Sequence, residues 1–267
     1  MAIDEQLVKA LHVEVLRRQD LHAETEPHVV FQTSTIDALL EGAYDGDVSF
    51  AELRRHGDLG LGTFDALDGE MIALEGEFHR ATVDGSIRPV PAEERTPFAV
   101  MTFFAPTSEV AIHAPLDQAG LLEALERSRD GEAASHAVRV DGRFDFVRAR
   151  SIGRQAKPYR PLVEVVQDQH VFDFTDVEGT LVGFRFPDYA HGIEVPGYHL
   201  HFISADRSGG GHVLDCRVRD ATALIDDSSA LHLELPPGVD MLDPAASAAS
   251  PDAVERVERG GRAQDDR

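Results

Sequence analysis

The stretch that decides the fold of this 267-residue chain is rich in histidine and glycine and reads Pro196-Gly-Tyr-His-Leu-His-Phe-Ile-Ser-Ala-Asp-Arg-Ser-Gly-Gly-Gly-His-Val-Leu-Asp215. Residues 198–205 alternate polar and apolar side chains and include aromatic and β-branched ones, which predicts a strand that runs into a glycine-rich turn. Alternate residues of a strand share a face, so we expect His199 and His201 side by side. His212 opens the predicted return strand and adds a third imidazole to the same hairpin.

Three imidazoles on one hairpin indicate a metal site. Three histidines are the protein ligand set of an open zinc site, in which water or substrate takes the remaining coordination positions. From spacing alone, nickel or iron fits nearly as well as zinc. A His-x-His pair is more often the solvated face of a strand, and the third histidine after three consecutive glycines makes the two interpretations about equal.

Composition limits the classes of function. The formal net charge of −23 argues against binding to nucleic acid or to an anionic membrane surface. Solubility or a salt-adapted proteome explains this charge without an acidic binding function, and an anionic substrate would need a local cationic group. Cys216 is the single cysteine, which excludes an intrachain disulfide and zinc sites built on two or more cysteines. Lys9 and Lys157 are the only lysines, which disfavours a Schiff-base mechanism.

The chain carries no pattern typical of export or of a membrane span. The first thirty residues are interrupted by charges and contain no apolar core of a signal peptide, and no apolar run approaches twenty residues. We therefore expect a cytoplasmic protein with no membrane partner.

The order of patterns predicts an α/β (α+β) fold with two β-rich subdomains, mixed sheets and a few short helices. Residues 1–27 are predicted to be a charged leader, partly helical and peripheral to the fold. Residues 28–160 are assigned to an N-terminal α/β domain, residues 161–236 to a C-terminal β-rich metal-binding domain, and residues 237–267 to a C-terminal tail with a short charged helix near 251–259.

Several elements are predicted individually. The apolar spacing over Leu116–Ser128 predicts an amphipathic helix. Asp141-Gly142 is interpreted as the turn of a hairpin between the strands 137–140 and 144–152. Strands 171–175 and 180–186 are predicted separately. Arg148 and Arg150 lie two apart on one strand, and surface exposure is the ordinary explanation for such residues.

Short motifs along residues 28–236 together resemble the α-acetolactate decarboxylase family. Those motifs are Phe31-Gln-Thr-Ser-Thr-Ile-Asp-Ala-Leu-Leu-Glu-Gly-Ala-Tyr-Asp-Gly46, His56-Gly-Asp-Leu-Gly-Leu-Gly-Thr-Phe64, Leu67-Asp-Gly-Glu70, Thr96-Pro-Phe98, Lys157-Pro-Tyr159, Val177-Glu-Gly-Thr-Leu-Val-Gly-Phe184 and Gly197-Tyr-His-Leu-His201. The resemblance implies a two-domain α/β structure with mixed sheets, usually assembled as a homodimer.

The resemblance also implies residue roles. It places a zinc ion on His199, His201 and His212, and it matches the family's catalytic glutamate and arginine with Glu70 and Arg150. A further glutamate from the C-terminal segment reaches the metal site in some members, for which Glu258 is the first candidate and Glu255 the second.

The implied reaction is decarboxylation of 2-acetolactate to acetoin and carbon dioxide through a zinc-stabilised enediolate, with no organic cofactor. In it Glu70 relays the proton and Arg150 supplies the cation for the anionic substrate. The alternatives are a cupin-like metal lyase or oxygenase, a non-catalytic metal-binding module, or a structural protein with incidental histidines. The motifs outside the hairpin weigh against the first two, because a bare metal module has no need of Leu67-Asp-Gly-Glu70 or Lys157-Pro-Tyr159.

Overall fold

The computed structural model describes residues 3–24, 26–128, 133–236 and 251–258. Strands dominate this part of the chain: β1 His12–Arg17, β2 Val29–Thr33, β3 Val48–Ser49, β4 Leu59–Thr63, β5 Glu70–Leu74, β6 Glu77–Ala81, β7 Ile87–Pro89, β8 Arg95–Thr96, β9 Ala99–Thr102, β10 Ser108–Ile112, β11 Leu116–Asp117, β12 Ser135–Ser151, β13 His170–Phe186, β14 Gly197–Ser204, β15 Gly210–Ser228 and β16 Ala230–Leu235. The α-helices are short: α1 Glu5–Ala10, α2 Ile36–Leu40, α3 Phe50–Leu53, α4 Gln118–Arg127, α5 Leu162–Val165 and α6 Pro251–Glu258.

Two sheets carry the fold. The first has the strand order β1-β16-β2-β9-β4-β5-β6-β7, in which β16 runs parallel to both β1 and β2 and the other neighbours are antiparallel. The second has the order β10-β15-β12-β13-β14, and β14 also pairs with β15, so β15, β12, β13 and β14 close into a ring. The predicted fold class, mixed sheets with a few short helices, is confirmed.

The core lies between the sheets and on their outer faces. One buried cluster joins residues of the first sheet, such as Leu61 and Ile72, to residues of the second, such as Val182 and Ile203. Two further clusters pack the second sheet against α4 and the first sheet against α3. Burying each side chain of this size contributes roughly 1.5–3 kcal/mol to the free energy of unfolding, so the interface between the sheets is a major source of stability.

One predicted hairpin and one predicted pair of separate strands are each a single long strand. β12 runs straight through Asp141-Gly142, and β13 runs through the predicted gap at residues 176–179. The reason is visible at Gly142, where a Cβ atom would lie 2.4 Å from Cβ of Ala221 on β15. This glycine permits close approach of two strands and is not part of a turn.

The predicted helix over Leu116–Ser128 exists but begins later. Residues 116–117 pair with β15 as the short strand β11, and the Asp117 side chain accepts a hydrogen bond from the Gly120 backbone N–H at 2.9 Å. An aspartate that caps the first turn in this way ends the strand and starts the helix.

The prediction that residues 1–27 are peripheral to the fold is wrong. Residues 12–17 form β1, which pairs along its length with β16, and Leu7, Leu11 and Leu16 are buried. Strand pairing also crosses the predicted boundary at residues 160 and 161, because β12 before it pairs with β13 after it. The division of the chain into domains stays a prediction. Of the predicted tail, residues 237–250 and 259–267 lie outside the described residues, and the expected charged helix is α6.

No helix in the described ranges has the length and apolar character that crossing a bilayer requires.

Candidate metal and catalytic site

Neighbouring strands of the second sheet bring the three histidines together. His199 and His201 lie two apart on β14, and His201 is paired directly with His212 on β15. Their side chains are buried, and one ligand atom from each can be chosen so that all three lie within 4.8 Å of one another. The structure therefore places all three predicted histidines in one cluster, while their binding of a metal stays a prediction.

The outer nitrogen of each ring faces an oxygen. His201 Nδ1 donates to the Met71 carbonyl at 2.8 Å, and His212 Nε2 lies 3.4 Å from the Glu258 carbonyl. His199 Nδ1 lies 3.8 Å from a carboxylate oxygen of Glu194. Such outer contacts orient metal-binding imidazoles, because they leave the opposite nitrogen unprotonated and turned inward.

The inner nitrogens then converge on one space. His199 Nε2 and His212 Nδ1 are 3.2 Å apart, and the buried Nε2 of His201 has no hydrogen-bond partner among the described residues. A buried nitrogen lone pair without a partner is costly unless a ligand occupies it. This donor set of imidazoles fits zinc or another divalent transition metal.

The net pKa shift differs among the three rings. It holds the pKa of His201 and of His212 well below the usual range, which favours the neutral form that binds metals. Burial also lowers the pKa of His199, but the carboxylates of Glu258, Glu194 and Glu70 outweigh it and the net direction is upward.

Glu70 reaches the cluster from the other sheet. It begins β5 after a turn in which Gly69 has a φ of 105°, a backbone conformation that favours glycine. Its Oε1 accepts a hydrogen bond from Arg150 Nη1 at 3.0 Å, and its Oε2 lies 3.9 Å from His201 Nε2. Burial raises the pKa of Glu70, against the opposing charges of Arg150 and His199.

Arg150 and Arg148 have different surroundings, although only one residue separates them. Arg150 is paired with His212 across β12 and β15, is only 4% exposed, and directs Nη2 at the Val257 carbonyl 3.5 Å away. Arg148 is exposed and forms two hydrogen bonds with Asp173 on the surface. A shift in the β12–β15 register falls between Arg148 and Ala149. The ordinary expectation of exposure is therefore correct for Arg148 and wrong for Arg150.

The end of α6 closes the cluster on a third side. Val254 and Val257 are buried in the core between the sheets, and Oε2 of Glu258 lies 3.6 Å from His212 Nε2. The structure thus brings Glu258, the first C-terminal candidate, to the histidines. The side chain of Glu255, the second candidate, lies outside the described residues.

A pocket opens onto these groups. It encloses about 460 Å³ of empty space, part of it continuous with solvent. Its polar wall consists of the histidines, Glu70, Arg150, Glu258 and Thr63, and its apolar wall includes Ile36, Leu39, Leu67, Phe98, Ile152, Leu162 and Val257. The pocket suits a small ligand that has both charged oxygens and methyl groups.

The sequence interpretation missed one acidic residue of the site. Glu194 is fully buried, and neither of its carboxylate oxygens has a hydrogen-bond partner among the described residues. A signal was present, because Glu194 interrupts the apolar pair Ile193 and Val195 only five residues before His199. A lone acid in an apolar run next to a histidine motif is a candidate for a buried role.

Comparison with known proteins identifies the family of this chain. The family model described as alpha-acetolactate decarboxylase matches residues 30–243. The alpha-acetolactate decarboxylase of Methylococcus capsulatus is 45% identical over 97% of this chain and 100% of its own length, and that of Bacillus subtilis is 41% identical over 86% and 89%. The crystal structure of acetolactate decarboxylase from Bacillus subtilis subspecies spizizenii superposes with a TM-score of 0.80 at 40% identity, covering 87% of this chain and 99% of that one. The chain belongs to the alpha-acetolactate decarboxylase family.

Proposed function

We propose that this protein is a carboxy-lyase that converts 2-acetolactate to acetoin and carbon dioxide with the help of a divalent metal, zinc in the first instance. The observation that carries the proposal is a buried three-histidine cluster next to the Glu70–Arg150 pair, in which Nε2 of His201 has no hydrogen-bond partner in the described ranges of the chain. Family membership supplies the substrate class, because the relatives bear the name of this enzyme.

The chemistry sets what the site must do. 2-Acetolactate has a ketone β to its carboxylate and a hydroxyl on the carbon between them. Breaking the bond to the carboxylate leaves an electron pair that must spread onto the ketone oxygen, which gives an enediolate. A zinc ion on His199, His201 and His212 would supply a Lewis acid for the negative charge that develops on the substrate oxygens.

Arg150 is assigned the role of binding the anionic substrate. It is a buried cation at the pocket wall of a chain whose net charge is −23. Its planar guanidinium can hydrogen-bond to Glu70 and still present other N–H groups to a carboxylate. A firm grip on the substrate carboxylate alone would stabilise the ground state, so Arg150 accelerates the reaction by orienting that group and by balancing the charge left after carbon dioxide departs.

Glu70 is assigned to proton transfer. The carbon that loses carbon dioxide must gain a proton, and burial raises the pKa of Glu70, which favours the protonated form that can donate one. Arg150 fixes the position of Oε1 of Glu70, which leaves Oε2 on the side of the histidines. Glu258 is assigned to the catalytic site as a second acidic residue, because it lines the pocket and its carboxylate and carbonyl oxygen both lie near His212 Nε2.

The acetoin assay tests this proposal directly. Purified protein stripped with a chelator is expected to form no acetoin from racemic 2-acetolactate and to recover on addition of zinc. The variant His199→Ala, His201→Ala is expected to lose both metal and activity. A control variant with the exposed histidines His113 and His170 changed to alanine should keep both.

The outcomes separate the alternatives. Bound metal without acetoin would indicate a non-catalytic metal module, and consumption of oxygen would indicate an oxygenase. Full metal retention in the His199→Ala, His201→Ala variant would remove the metal assignment.

We further propose that the protein works in the cytoplasm as a homodimer, as the resemblance implies. Light scattering coupled to size-exclusion chromatography checks the assembly, and a single species at the mass of one chain would contradict the dimer.

A further inference from the structure

Glu194 is a buried carboxylate beside the histidine cluster that the reaction described above does not use. We propose that Glu194 is a positioning residue for the metal: its carboxylate accepts a hydrogen bond from Nδ1–H of His199 and thereby holds Nε2 of that ring toward the ion. This inference rests on the metal site proposed above and extends it to a residue outside the ligand set.

Unsatisfied polar atoms of His199 and Glu194 face each other at this point. His199 Nδ1 and both carboxylate oxygens of Glu194 are buried and lack hydrogen-bond partners among the described residues. Nδ1 and Oε1 are 3.8 Å apart, about 0.8 Å beyond an ordinary N–H···O hydrogen bond. A small rotation of either side chain closes that distance and satisfies both groups. Within the described part of the chain, His199 is the basic residue that lies within 4 Å of this carboxylate.

The backbone around Glu194 is held firmly. The buried amide of Gln32 donates to the Ile193 carbonyl at 2.7 Å, and the Ile36 backbone N–H donates to the same oxygen at 2.9 Å. The Glu194 backbone N–H donates to the Ala190 carbonyl at 3.1 Å. An acceptor on a fixed backbone can orient a ring without a large loss of conformational freedom.

Glu194 differs in kind from the acceptor behind His201. His201 faces the backbone carbonyl of Met71, whereas His199 faces a carboxylate. A hydrogen bond to a carboxylate is stronger than one to a neutral carbonyl, and it increases the donor strength of the opposite ring nitrogen. We therefore expect metal affinity to depend more sensitively on the acceptor behind His199 than on the acceptor behind His201.

Zinc affinity, measured by competition with a chromophoric chelator, tests the inference. Glu194→Leu removes the acceptor at similar volume and should weaken zinc binding by roughly 10–100-fold. Glu194→Gln keeps an oxygen acceptor and loses the charge, so its affinity should fall between those of Glu194→Leu and the wild type. The control is Glu234→Gln, which alters a buried carboxylate that is bonded to Arg18 and Thr33. It should bind zinc like the wild type.

If Glu194 only supported the fold, Glu194→Leu and Glu194→Gln would weaken zinc binding only as far as they lower the Tm of the metal-free protein. A positioning role predicts that Glu194→Gln, which keeps an acceptor for Nδ1–H of His199, unfolds near the wild-type temperature without metal and still binds zinc more weakly. Wild-type zinc affinity in Glu194→Leu, or in Glu194→Gln if the leucine variant does not fold, would overturn the role of Glu194 alone. Absence of zinc binding by the wild type would instead overturn the proposed metal site.

Discussion

At the scale of single residues, the hydrogen-bonded pair of Glu70 and Arg150 is central to the candidate site. Both side chains are buried, and each comes from a different sheet. A buried ion pair contributes little net stability, because the loss of hydration offsets the attraction between the charges. We therefore interpret the pair as a means of positioning a proton donor and a cation on one side of a small pocket.

Glu70→Gln separates proton transfer from metal binding. The change keeps the shape and an acceptor for Arg150 but removes the titratable proton, so we expect near-stoichiometric zinc and acetoin formation slowed by about 10²–10⁴-fold. Elemental analysis and the acetoin assay measure the two effects. The exposed Glu77→Gln is the matched control. Loss of zinc in Glu70→Gln would make Glu70 a metal ligand, and near-normal turnover would assign the proton to Glu258 or a metal-bound water.

Arg150→Lys tests the geometry of the cation while keeping its charge. An ammonium group cannot reproduce the planar arrangement that reaches both Glu70 and the Val257 carbonyl, so we expect kcat to fall at least about tenfold. Arg148→Lys, on the surface beside Asp173, should stay within about twofold of the wild type. Steady-state kinetics on both variants decides the question. Equal losses at the two positions would show that the buried environment of Arg150 is irrelevant to turnover.

The residues of the site were predictable to different degrees. The period of two along a strand was enough to place His199 beside His201, and the hairpin brought in His212. Nothing in local sequence distinguishes Arg150 from Arg148, because their burial depends on how β12 lies against the other sheet. Glu194 was missed for a related reason: its neighbourhood is created by contacts between segments far apart in sequence.

At the scale of elements, α6 is the piece that completes the pocket. It is only eight residues long and is anchored by Ala253, Val254 and Val257. A helix this short has little stability of its own, so its place over the histidines depends on those buried side chains.

Val254→Asp should release α6 from the core. A buried carboxylate without a partner costs several kcal/mol, more than one short helix can offset. We expect acetoin formation to fall at least about tenfold, because misplacing Glu258 and Val257 disturbs the pocket. Faster tryptic cleavage at Arg256 should accompany the loss. The control is Val8→Asp, the same change at an exposed valine. Full activity in a protein whose helix has become cleavable would show that Glu258 is dispensable.

Element prediction succeeded where the signal is local, as for the helices α4 and α6. Local side chains also begin α2 and α3, where Thr35 and Ser49 accept hydrogen bonds from Ala38 and Glu52 backbone N–H groups. The prediction was wrong at β12, because the sequence does not distinguish a glycine that permits close approach of a neighbouring strand from a glycine in a turn. Only the partner strand distinguishes these cases, and the partner, β15, begins sixty-eight residues after Gly142.

At the scale of the whole molecule, the candidate metal site lies where the two sheets meet. The hydrogen bond from His201 to the Met71 carbonyl links β14 to β5 across the interface between the sheets. A metal held there should stabilise the folded protein as a whole, since it binds the assembled cluster and not the unfolded chain.

Removal of the metal should therefore lower Tm. Zinc at a hundred times its Kd adds about 2.7 kcal/mol, which corresponds to roughly 5–10 °C for a chain of this size. Calorimetry of chelator-treated protein with and without added zinc measures the shift. The His199→Ala, His201→Ala variant should show no zinc-dependent change. Identical Tm values for the stripped and zinc-loaded wild type would contradict a metal at this position.

The placement of β16 between β1 and β2 also has a consequence for how the protein is made. β16 is parallel to both neighbours, yet it follows the end of β2 by roughly 200 residues. At 5–20 residues per second, a ribosome needs roughly 10–40 s to reach β16 after finishing β2. During that interval the nascent chain presents both strands with unpaired edges and apolar side chains. We expect cells to shield this half-made sheet with chaperones, and the N-terminal half to be the aggregation-prone part of an unfinished molecule.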